Sequence, residues 1–144
     1  MKTLMILMLT GLLASCAGNN LSNAQWQSEV SKQVRQWQLQ PVKRITTFNL
    51  DSWASLGENY LIIRTTPFKP YLIELASRCS GLSFANALLT EQSMSSSLSA
   101  KFDSVATPDN PDIPCRISKI YPLTQAQDTS LRQLGRRVEA DTAR

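Results

Sequence analysis

"YLIIRTTPFKPYLIELA", residues 60–76, decides how this chain folds. Two short runs rich in aliphatic, β-branched and aromatic residues flank a break, PFKP. The first run, Tyr60 to Thr65, is apolar on both faces, as a central or barrel strand is. The second alternates: Tyr71, Ile73 and Leu75 share a face, and Glu74 lies on the other. Two such runs around a proline-bearing turn predict a β-hairpin.

The same period of two recurs on either side. Thr46, Phe48 and Leu50 alternate with polar neighbours. Leu98, Ala100 and Phe102 alternate with Ser99, Lys101 and Asp103. Ile113, Cys115 and Ile117 share a face; Lys119 breaks the phase and Ile120 resumes it, which predicts a bulge. The stretch 81–89, GLSFANALL, reads as a short helix, and 107–114, TPDNPDIP, as a turn-rich loop. About five short strands with one inserted helix predict an α+β fold. Its centre is a small curled antiparallel sheet or partly open barrel, rather than a βαβ unit.

A helix is expected at each end of this β-rich core, which spans residues 43–123. Over 22–40, Ser22 and Gln25 form a capping box, Leu21 and Trp26 a hydrophobic staple. Trp26, Val30, Val34 and Trp37 then make one apolar stripe, and Pro41 stops the helix. The stripe suits core packing or, next to a membrane anchor, docking on a partner or lipid. Over 124–144, Thr124 and Gln127 form a second capping box. Leu131, Leu134 and Val138 make a narrow stripe there, and Arg136 and Arg137 lie late, where the helix dipole favours them. Gly135 weakens this helix, so its last turns are expected to fray.

The amino terminus reads as an address. Lys2 is the only charge before Glu29. The apolar run from Leu4 to Ala17 is shorter than the ~20 residues a bilayer-spanning helix needs. A basic start, a short apolar run and small residues at its end describe a secretory signal. Leu13-Ala14-Ser15-Cys16 resembles the lipobox of bacterial lipoproteins. That resemblance implies diacylglycerol on the Cys16 thiol, cleavage before Cys16 and acylation of the new amino group. Residues 1–15 are then the leader, and 16–21 the lipidated cysteine and a short tether. Several acyl chains, at ~0.8 kcal/mol per buried CH₂, anchor a protein stably. Ala17, where an aspartate would favour inner-membrane retention, points to the outer membrane, with the domain facing the periplasm.

With Cys16 acylated, Cys79 and Cys115 remain, and in an oxidising compartment two cysteines predict one disulfide. The alternative is a redox or catalytic pair, which wants an activating neighbour or a C-x-x-C spacing. The composition narrows the chemistry further. The net charge of +4, with 18% charged and 42% hydrophobic residues, suits one globular domain; the small basic excess reads as ordinary surface charge or, more sharply, as a preference for acidic partners such as anionic lipid or glycan. Histidine is absent, which removes the usual neutral-pH acid–base group and the commonest metal ligand.

The segments KRITTFNLDSWASLGENYLIIRTTPFKPYLIELASRCSGLSFANAL, AKFDSV and IPCRISKIYPL resemble a family of small proteobacterial lipoproteins known only as a domain of unknown function. The shared features are the Trp53 segment, the strands Tyr60–Arg64 and Tyr71–Leu75, the Cys79-Ser80-Gly81-Leu82 turn, Asp103 and the Cys115-Arg116-Ile117 strand, within residues 43–123. The resemblance implies an exported or lipid-anchored location and a Cys79–Cys115 pairing; it carries no activity. Ser80 departs from the proline that many members have after the first cysteine, which alters the turn.

No motif for catalysis stands out. There is no G-x-S-x-G elbow, G-x-G-x-x-G or G-x-x-x-x-G-K. A Ser–Lys dyad of Lys101 or Lys119 with the serines at 93–99 is formally open, but a polar loop entering a strand explains those residues. Asp51, Glu58, Glu74 and Asp103 show no pairing of the glycosidase kind, and Asp109 and Asp112 lack an EF-hand pattern. Arg64, Lys101 and Arg116 alternate outward on their strands. With Trp53 they could form one basic–aromatic face for a glycan or polyanion; otherwise they are a solvated face with Trp53 in the core.

The expectation is a non-enzymatic, outer-membrane-anchored interaction or envelope-maintenance module. A glycan- or lipopolysaccharide-binding module is the alternative, and an enzyme the third reading. No cofactor, metal or nucleic acid is expected; the partners are the membrane, through the lipid, and an envelope protein or glycan.

Overall fold

The computed structural model describes residues 21–134. Cys16, the leader, most of the tether and the end of the predicted second helix lie outside them. The chain is α+β: two helices and a curled antiparallel half-barrel of six strands.

The hairpin 60–76 is its centre. β1 (Arg44–Ile45) is followed by β2 (Ser52–Leu56), β3 (Tyr60–Arg64), β4 (Pro70–Leu75), β5 (Leu89–Glu91), β6 (Leu98–Ser99), β7 (Ser104–Thr107) and β8 (Asn110–Pro122). The large sheet has the order β2-β3-β4-β8-β7-β5, and β1 and β6 form a separate two-stranded pair. That pair abuts β8 where β7 has left it: the Val42 amide donates to Ile120 O at 2.8 Å and the Lys101 amide to Ile117 O at 2.7 Å. These bonds satisfy backbone groups that would otherwise form an open edge.

β3 is buried on both faces because both faces carry cores. Leu61, Ile63, Ile73, Ile117 and Ile120 fill the concave side with Ile45 and Leu98. Tyr60, Ile62, Leu72 and Tyr121 meet the helices on the other. α1 (Asn23–Gln36) is capped by the Ser22/Gln25 box and buries Val30 fully, with Trp26, Val34 and Trp37 packed alongside. The stripe therefore faces the sheet. α2 (Gln125–Arg132) starts at the Thr124/Gln127 box and buries Leu131 and Leu134 in the same core.

The predicted bulge is present. Glu74 pairs with Lys119 but Leu75 with Ile117, so Ser118 is the extra residue. One added residue reverses the alternation, and Ile117 and Ile120 both point into the concave core. The predicted pairing is also present: Cys79 and Cys115 form a disulfide that joins the end of β4 to β8.

Other expectations are corrected. The sheet has six strands, not five. The predicted helix over 81–89 is a single 3-10 turn, Leu82–Phe84, and Leu89 opens the short edge strand β5. The predicted strand through Thr46, Phe48 and Leu50 stops at Ile45; Phe48 and Leu50 still pack on the core from irregular backbone. The predicted strand over 98–103 breaks at Lys101, whose φ of 70° turns the chain and leaves Phe102 76% exposed. The predicted loop 107–114 is the tip of the β7–β8 hairpin. Between the Val105–Cys115 and Thr107–Asn110 pairs the register slips, which turns Ile113 out to solvent.

α1 approaches the β2–β3 turn so closely that only glycine fits there. A Cβ on Gly57, whose φ is 77°, would lie 2.7 Å from Trp26 Cβ. Gly57→Ala is expected to destabilise by about 2–3 kcal/mol, from overpacking plus left-handed strain. Gly81 has the strain without the clash: a Cβ there would meet nothing closer than Asn110 Nδ2 at 3.7 Å. Gly81→Ala should then cost only about 1 kcal/mol. Urea denaturation of both variants checks this; equal losses would show that the Trp26 contact yields freely.

Candidate functional site

The turn at Lys101 is set by Asp103. This carboxylate is 1% exposed and accepts the amides of Ser93 at 2.7 Å and Ser99 at 2.6 Å. Burial alone would raise its pKa, but the hydrogen bonds from Ser93 and Ser99 prevail and hold it below the ordinary value. A carboxylate that satisfies two amides of its own loop fixes that loop more firmly than alternation along a strand would. Lys101 and Phe102 are thereby thrust outward.

They line a groove of about 500 Å³ between the β1–β6 pair and the β8 bulge. Pro41, Val42 and Ala100 supply apolar surface, Ser99 and Ser118 hydroxyls, and Lys43, Arg44, Lys101 and Lys119 the charges. No carboxylate lines it. A second hollow of about 470 Å³ shares Val42 and Arg44, adds Lys69 and the threonines 46, 47, 65 and 66, and is likewise free of carboxylates. Among the described residues, Lys43, Arg44, Lys69 and Lys101 make no ion pair. Lys119 does: Glu74 lies 3.4 Å from its Nζ, and this charge, followed by Tyr121, raises the lysine pKa. Glu74 also accepts a hydrogen bond from Tyr121 at 3.3 Å. Burial, then Glu74, pushes the neighbouring Tyr60 up to about 12. Burial, then Glu74, also raises Tyr121, so both phenols are neutral at pH 7.

The predicted face of four residues is not assembled. Trp53 is half-buried and packs on the concave core. Arg64 follows Ile62 in the alternation of β3 and lies on the helix side, where it holds Asp128 of α2 at 2.7 and 2.9 Å. It is a structural cation. Lys101 and Arg116 do come together: the Arg116 guanidinium donates to Lys101 O at 3.3 Å. The groove residues missed from sequence are Lys43, Arg44 and Phe102. "VKR" (42–44) was visible as a basic cluster, but its proximity to residues 99–102 is a tertiary fact.

Chemically the groove can hold an anion. Several unpaired cations around an apolar floor raise the local potential for negative groups, and an exposed phenyl ring at the rim offers a flat surface to a sugar or acyl chain. Among the described residues no serine lining it is hydrogen-bonded to a lysine, and no cluster of three metal-ligating side chains occurs.

The sequence model of a family described as "Family of unknown function (DUF6491)" matches residues 1–139, beyond the 43–123 that carried the resemblance above. No curated protein and no solved structure matches the chain.

Proposed function

We propose, for a chain that belongs to DUF6491, a family of unknown function, that it is a non-enzymatic envelope lipoprotein that binds an anionic glycan or glycolipid. In this reading Cys16 is lipidated, the anchor lies in the outer membrane and the domain faces the periplasm; the support is the Leu13-Ala14-Ser15-Cys16 motif after a short apolar run. The observation that carries the binding reading is the groove with four cationic side chains and no carboxylate. Phosphate or carboxylate groups on a sugar would meet Lys43, Arg44 and Lys101, while Phe102 packs on the sugar face or on an acyl chain.

Lys101 gives the decisive test. A side chain at a φ of 70° costs roughly 1–2 kcal/mol relative to a relaxed residue. Lys101→Gly removes that strain and is expected to leave stability within about 1 kcal/mol of the parent, since glycine adds its own entropic cost. Titration calorimetry with lipopolysaccharide should show binding by the parent that weakens as salt rises. Lys101→Gly should weaken it about tenfold, or ~1.4 kcal/mol, and dephosphorylated lipopolysaccharide should bind poorly. Undiminished binding by the variant, or none by the parent at low salt, would reject the groove as the site.

A further inference from the structure

A third cleft, of about 380 Å³, lies at the opposite end of the β3–β4 hairpin from Lys69. It is lined by Leu21, Trp26, Gly57, Glu58, Arg78 and Phe84, among others. Phe84 is 82% exposed, the most exposed of the large apolar side chains among the described residues.

Phe84 is held out in water by a braced turn. Glu58, only 6% exposed, accepts the Gly81 amide with one carboxylate oxygen at 3.1 Å and pairs with Arg78 through the other. Its backbone carbonyl takes the Cys79 amide at 2.8 Å, and Cys79 is disulfide-bonded. Gly81, with a φ of 82°, then starts the 3-10 turn that carries Phe84. A buried carboxylate and a crosslink thus fix a loop whose tip is apolar. A mobile tip could fold its ring onto the core; this one is positioned to present it.

The chain leaves the domain at the same place. Asn23 donates to Asn59 at 2.9 Å and accepts the Glu58 amide at 2.7 Å, which pins the start of α1 to the β2–β3 turn. Leu21 lines the cleft with Phe84. Cys16 lies five residue steps before Leu21, and five steps of extended chain reach at most about 17 Å. Resting on the reading of Cys16 as lipidated, this leash holds Leu21 within that distance of the lipid surface, and Phe84 lines the same cleft as Leu21.

We propose that this end of the domain docks on the membrane that holds the anchor, with Phe84 set into the headgroup layer beside Leu21 and Trp26. The occupant is the lipid surface itself. Its drive is apolar, because Arg78 and Glu58 already neutralise each other. The second hollow, with Thr65, Thr66 and Lys69, lies at the other end of the β3–β4 hairpin, and docking would orient it away from that bilayer.

The test uses the acylated mature protein in phosphatidylethanolamine–phosphatidylglycerol vesicles, with a nitroxide on Ser83→Cys or, as control, on Thr66→Cys in the β3–β4 turn. Flotation reports the anchor. Collision with a water-soluble nickel chelate against oxygen reports depth. Docking predicts that residue 83 sits about 5 Å or more inside the headgroup region, several-fold less accessible to nickel than residue 66. Adding Phe84→Ser should restore that accessibility while the protein still floats. If the protein floats but both labels are equally open to nickel, docking is wrong and the anchor stands. If it does not float, the lipid anchor fails and docking fails with it.

Discussion

Asp128→Ala lowers the unfolding free energy by about 3–5 kcal/mol, a larger loss than trimming an exposed helical residue would give. Asp128 sits in the first turn of α2 and is almost buried; Arg64 on β3 is 12% exposed at its side chain. The two form a bidentate pair at 2.7 and 2.9 Å, and Arg132 adds a third bond at 3.0 Å from the solvent side. Removing the carboxylate leaves the Arg64 guanidinium buried against the sheet with only Ser52 Oγ, 3.3 Å away. The penalty is that of an unpaired buried charge, which exceeds the net worth of the pair. Replacing both partners separates these terms: Arg64→Met with Asp128→Leu should recover most of the loss, since two apolar groups of similar bulk need no partner. Thermal unfolding would show a fall of about 10–15 °C for the single variant and a near-parent midpoint for the double. A single variant within about 1 °C of the parent would mean that α2 is held by Leu131 and Leu134 alone.

Removing the disulfide as Cys79→Ala with Cys115→Ala should cost about 3–4 kcal/mol, chiefly by freeing the unfolded chain across the 36-residue separation. The native state changes less, because both sulfurs lie in the concave core and alanine keeps part of their packing. Guanidinium denaturation should therefore show an earlier midpoint with nearly native secondary structure before it. The parent with reductant in the denatured state should refold to the same lowered stability. A double variant that unfolds at the parent's midpoint would show the crosslink to be energetically idle.

The elements legible in the sequence were those whose determinants are local. Capping boxes, the stripe from Trp26 to Trp37 and the turn between Arg64 and Tyr71 each lie within a few residues. The bulge at Ser118 was legible because a single extra residue leaves a phase break between Ile117 and Ile120. What was hidden depended on partners far away. Residues 98–103 alternate as a strand does, yet Asp103 captures two amides and Lys101 turns the chain. β5 is three residues long and carries no period of its own; it exists because β7 offers it an edge. Arg64 looked like a surface cation because its neighbour on β3 is Ile63; its actual partner lies 64 residues on. The groove escaped for the same reason: Lys43 and Lys101 are 58 positions apart, and nothing short of the fold unites them.

The strand order has a consequence in time. β2, β3 and β4 form a meander, and β7 and β8 a hairpin closed between Thr107 and Asn110. Each half involves short loops and can form quickly. The halves meet where Tyr71 to Leu75 of β4 find Pro122 to Ile117 of β8, about forty to fifty residues away, and that distant closure carries the entropic cost that slows folding. The cysteines sit on either side of this same seam. Oxidation after the halves have met locks the correct partner, whereas two separated halves leave both thiols open to other chains. In an oxidising compartment the rate at which β4 finds β8 therefore bears on whether these thiols pair with each other or with those of other chains.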